Sequence, residues 1–204
     1  MTANAIAPEV SRLHALAWRP GAEMHPDWWK RLDLGTWQNS YAHPACRASI
    51  DRLIIVRRDF PQTALPPRLD SRQSALLGLE PRLNALMIAL GILAHGRPDY
   101  LITKPYRAPL AAHVGERGCS QLLTLCRDLP ARGQDIAPDR LIDLARESGL
   151  HWWHKDADAC IVTRLLTTVL PPPSPTSSMP LPSAPPANLQ GRASDWLLKI
   201  GRFL

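Results

Sequence analysis

Residues 171–187 (PPPSPTSSMPLPSAPPA) hold eight prolines and no charge. Proline fixes φ and has no N–H to donate, so this stretch makes neither a helix nor a central strand. Its composition predicts an extended, fairly stiff linker. On either side lie a body, residues 1–170, and a tail, residues 188–204. In the tail, Trp196, Leu197, Ile200, Phe203 and Leu204 fall on one stripe of a short amphipathic helix. A single helix of that length is marginal alone, so its stripe must be covered. Two outcomes are open: packing back onto the chain's own body, or docking on a partner or a membrane surface.

The body reads as helix almost throughout and is long enough for one domain with a real core. Residues 8–18 place Val10, Leu13, Leu16 and Ala17 on one face. Pro26-Asp27 opens a second, short helix and His43-Pro44 a third, which reaches Arg58 with Cys46, Ile50, Leu53 and Ile54 inward. Residues 60–69 read as a loop. Asp70 with Gln73 forms a capping box before another short helix. The segment RLNALMIALGILAH, 82–95, is apolar nearly all round and predicts a central core helix; Gly96 stops it and Pro98 forbids continuation. Short helices are expected near 108–114 and 118–128, and Pro138 starts another that Gly149 ends. Residues 150–170 read as one long final helix, although the β-branched second half leaves a strand open there. The expected fold class is all-α, a single compact multi-helix domain followed by the linker and the C-terminal helix.

Composition excludes several function classes. No apolar run reaches the roughly 18 residues that cross a bilayer. The N-terminal MTANAIAPEVSR has no basic stretch followed by an apolar one, which predicts no secretory signal and a cytoplasmic location. Cys46, Cys119, Cys126 and Cys160 are scattered, without a CxxC pair; Cys119 and Cys126 share a helix face and read as small core residues. The net charge of +6 is dispersed, and Asp51, Asp59 and Asp70 interrupt the densest arginine runs. Without a basic stripe or stacking aromatics, no nucleic-acid partner is expected.

Catalytic patterns are mostly absent. Gly115-Glu-Arg-Gly118 is not a phosphate loop, and no GxSxG elbow occurs. Asp156 and Asp158 are the nearest approach to a catalytic pair, and Cys46 lies near His43 without a recognisable orienting group. His151, His154 and Asp158 would share a helix face with acceptable zinc-ligand geometry, but the glutamate of HExxH is missing. The sequence therefore predicts no catalytic residue, no metal and no cofactor. A small metal-dependent hydrolase built on those three residues and a peripheral membrane-surface protein stand as alternatives.

Tryptophan is more telling. Of seven, four form the pairs Trp28-Trp29 and Trp152-Trp153. Adjacent helical residues point about 100° apart, so one member of each pair is expected near the surface, where tryptophan favours interfaces. Cover from flanking helices on both sides is the other possibility.

Two stretches resemble the SctK/YscK family of type III secretion systems. One is Trp18-Arg-Pro20-Gly-Ala22-Glu-Met24-His25, a P-x-A-x-hydrophobic-H pattern; the other is the leucine-rich helix Leu83–Gly96, ending L-G-I-L-A-H-G. The resemblance implies a non-enzymatic cytoplasmic adaptor of the injectisome. It would link the cytoplasmic domain of the inner-membrane ring protein to the sorting-platform pod protein, without direct membrane insertion. Pro20, Ala22 and His25 match the family pattern. His25, Trp28, Trp29, Trp152, Trp153, Trp196, Ile200 and Phe203 are the expected partner-binding residues.

Overall fold

Helix-starting prolines punctuate the chain, and the structure, a computed structural model, follows them. It describes residues 7–60, 64–127, 129, 135–157, 160–173 and 191–204. These form α1 (Pro8–Trp18), α2 (Pro20–Glu23), α3 (Asp27–Arg31), α4 (Pro44–Arg57), α5 (Ser71–Leu77), α6 (Leu83–His95), α7 (Asp99–Ile102), α8 (Lys104–Cys126), α9 (Leu141–Asp156), α10 (Ile161–Leu166) and α11 (Ala193–Ile200). No strand occurs among the described residues, so the fold is all-α, as expected. Packing divides the chain into two compact units, Met1–Gly78 with Ala159–Pro172, and Leu79–Asp158 with Pro173–Leu204. Residues 174–190 of the proline tract lie outside the described residues.

The first unit is built on α1. Its stripe of Val10, Leu13, Leu16 and Ala17 is buried, as the spacing predicted, and faces α2, α4, α5 and α10. The capping box of α5 forms as read: Gln73 N donates to Asp70 Oδ1 at 2.7 Å and Asp70 N to Gln73 Oε1 at 3.1 Å. Three contacts tie the end of α10 to the N-terminal helices. His25 N donates to Thr168 O at 2.9 Å, Trp28 Nε1 to Leu170 O at 2.8 Å, and Arg58 Nη2 to Thr167 Oγ1 at 2.6 Å.

The second unit is built on α6, in which only Asn84 and Ala85 escape full burial. Gly96 ends it in the left-handed conformation, φ 60°, that glycine adopts without steric cost. Its main neighbour is α9. A Cβ on Gly91 would lie 1.7 Å from Ala145 O, and one on Gly149 would lie 1.9 Å from Met87 O. The two helices thus cross at backbone contact, which only glycine permits. Across the same crossing, His95 Nε2 and Ser148 Oγ are hydrogen-bonded at 3.0 Å.

Several expectations change. Gly149 does not end α9, which runs on to Asp156, because the glycine serves helix crossing and not capping. Residues 150–170 are not one helix. Cys160 starts α10 as an N-cap, its backbone N donating to Thr163 Oγ1 at 3.2 Å, and α10 shows no strand character. The two short helices expected within 99–129 are the halves of α8, broken at Gly115 (φ 74°, ψ 159°).

Candidate interaction surfaces

Both tryptophan pairs are core residues. Trp28, Trp29, Trp152 and Trp153 are 8, 5, 1 and 1% exposed, so the expected surface member of each pair is absent. Different neighbours cover the two sides of each helix. The Arg58 guanidinium stacks 3.6 Å from the Trp28 ring centre, while Trp29 meets Tyr41 edge-on at 5.5 Å. For Trp152 and Trp153, α9 is flanked by α6, α8 and α11.

The amphipathic tail forms α11 and packs on α6 and α9. Leu197 and Ile200 are fully buried and Trp196 is 8% exposed, whereas Phe203 is half-buried. Asp156 caps this helix, accepting from Ala193 N at 2.8 Å, and Arg82 Nη1 donates to Gly201 O at 3.2 Å. Of the two outcomes open to the stripe, packing within the chain is the one observed. A membrane-surface role for Trp196 and Ile200 would first require their release. His25 is half-buried, and its Nδ1 accepts from Asp27 N at 3.3 Å, which fixes the turn into α3.

The chemical candidates do not converge. His151 is exposed, His154 is half-buried, and Asp158 lies outside the described residues; no group of three His, Cys, Asp or Glu among the described residues is placed to hold a metal ion. Asp156, half of the expected acid pair, is the α11 cap. Cys119 and Cys126 are buried on α8, and burial pushes the Cys126 thiol up to about 12, a poor nucleophile. Cys46 packs against the tryptophan cluster beside Leu53 and Tyr41.

A buried polar centre escaped the sequence reading. Asp51, 3% exposed on α4, accepts from Gly21 N at 2.9 Å and from Tyr41 OH at 3.1 Å. A Cβ on Gly21 would lie 2.5 Å from the Tyr41 ring, so the start of α2 closes tightly over this carboxylate. Burial holds the Asp51 carboxyl above its ordinary range, and burial together with the Asp51 charge pushes Tyr41 up to about 12. Its only sequence signal was an aspartate on the inward side of α4. Stacked on Trp28, the Arg58 guanidinium has its pKa lowered to about 10 by burial and the Arg164 charge.

Among the described residues, the exposed large apolar side chains are Trp18 at 45%, Trp37 at 51%, Val56 and Ile102. Trp18 borders a groove of about 560 Å³ along the outer side of α1. Val10, Ser11, His14, Ala15, Trp18 and Arg19 line it with Pro67, the mostly buried Val10 marking its edge with the core stripe.

A family model described as a type III secretion system subunit matches residues 11–172. The chain belongs to that family. No curated protein and no solved structure matches it. The matched stretch of this secretion-system subunit includes all of the α1 groove's lining but Val10, both tryptophan pairs and the Asp51 centre, and stops before α11. No single helix among the described residues is long and apolar enough to cross a membrane.

Proposed function

We propose that this type III secretion system subunit is a non-enzymatic cytoplasmic adaptor. It links the cytoplasmic domain of the inner-membrane ring protein to the sorting-platform pod protein, and reaches the membrane through protein contacts alone. The family match over residues 11–172 carries this reading. The SctK/YscK-like residues support it: Trp18–His25 build α2 and the turn into α3, and Leu83–Gly96 build the central helix and its cap. Asp156 serves as the cap of α11 and the described His, Cys, Asp and Glu side chains do not gather into a metal-binding group, which supports binding without turnover.

Partner contact then falls on side chains left in solvent. Half-exposed His25 and Phe203 remain contact residues, while Trp28, Trp29, Trp152, Trp153, Trp196 and Ile200 support those surfaces from within the core. Pull-down of each purified partner domain at about 150 mM salt tests the reading, since screening at that strength suppresses nonspecific attraction to a basic protein. Both partners are expected to be retained. Retention of neither by well-folded protein rejects it.

A further inference from the structure

Helix α1 carries two faces. One is buried in the first unit; the other, Ser11, His14, Ala15 and Trp18, lies at helical spacing along the groove. Ser11 and Ala15 are small, so a second backbone can approach the floor. Ser11 to Trp18 spans about 10 Å, two helical turns. The ridge ends in Trp18 and Arg19, the two residue types most enriched among the residues that dominate binding energy.

Charge decides what fits. Among the described residues no carboxylate lines the groove, and the chain carries a net charge of +6. The Arg19 guanidinium makes no hydrogen bond or ion pair among the described residues; its electrostatic influence on its own chain is longer-range, on Asp51 and Tyr41. Glu23 is held by Arg12 at 2.6 Å. The chain's own proline tract, 174–190, has no charged residue and does not complement Arg19.

We infer that the α1 groove docks an acidic amphipathic helix of a partner protein. Apolar side chains of that helix lie over Ser11 and Ala15 against Trp18, and one of its carboxylates pairs with Arg19. This deepens the adaptor reading and rests on it for the source of the helix; the binding chemistry itself is testable alone.

The test is selection of helical peptides from a random library on the full chain, followed by fluorescence anisotropy at about 150 mM salt. Selected peptides are expected to be acidic, with apolar residues at i, i+3 or i+4, and i+7. Ala15→Arg fills the groove and should weaken binding about tenfold or more. Arg19→Gln removes a rim charge and should weaken it roughly two- to fivefold. Both variants are checked for wild-type melting, and Arg19→Gln alone decides the matter if Ala15→Arg melts early. The inference is overturned if no peptide is enriched, if selected peptides are basic or neutral, or if they bind both variants as tightly as the wild type. It is also overturned if a synthetic peptide of residues 174–190 binds the groove more tightly, or if the chain self-associates in a way that Ala15→Arg abolishes. Intact partner domains retained equally by the wild type and Ala15→Arg leave the adaptor reading standing and remove the groove from it. Groove-dependent peptide binding without retention of either partner domain does the reverse.

Discussion

Gly91 and Gly149 show how much a single missing Cβ decides. Each faces a backbone carbonyl of the opposite helix at a distance no methyl group tolerates. Gly149→Ala should force α6 and α9 apart and cost at least about 2 kcal/mol, seen as a melting temperature several degrees lower. Unchanged melting would mean that the crossing is looser than described. Asp51 gives a prediction with a sign. Its folded-state carboxyl sits above the ordinary value, chiefly through burial, so the folded chain disfavours its ionised form. Its contribution to stability is therefore fullest below the ordinary carboxylate pKa and is lost as pH rises through the raised value. Asp51→Asn keeps an acceptor for Gly21 N–H but cannot ionise. Relative to wild type, the variant should gain stability between about pH 3.5 and pH 7, by urea midpoints at each pH. A shift in the opposite direction would contradict the assignment. Tyr41 should also ionise nearer its ordinary pKa of 10.0 in this variant, by ultraviolet titration.

At the scale of elements, α11 packs on α6 and α9 within the second unit. Trp196→Ala alone should lower the melting temperature, since removing a buried tryptophan costs about 3 kcal/mol. Unchanged melting with lost partner binding would return α11 to the role of a docking helix. Elements with local signals were legible in the sequence. The α1 stripe, the Asp70–Gln73 box and the Gly96 stop each depend on residues within one or two turns, and each stands where it was read. Elements that depend on distant neighbours were not. Gly149 looked like a helix end because its reason, Met87, lies far away in sequence. The tryptophan pairs looked half-exposed because periodicity sees one helix at a time, whereas α9 is covered by three others. The Asp51 centre needs Gly21 and Tyr41, from two separate segments, to be recognised.

At the scale of the whole molecule, the chain belongs to a secretion-system subunit family and is helical, without strands, among its described residues. Five of its tryptophans are buried in the core, and Trp18 and Trp37 are exposed. The central claim is that the subunit bridges two partners, which simple binding to one would not establish. The decisive measurement immobilises the cytoplasmic domain of the inner-membrane ring protein and follows the pod protein onto it, with and without this subunit. The adaptor account predicts pod protein on the surface only when the subunit is present, in proportion to the subunit captured. Pod protein arriving equally well without the subunit, or staying in solution in its presence, would contradict that account.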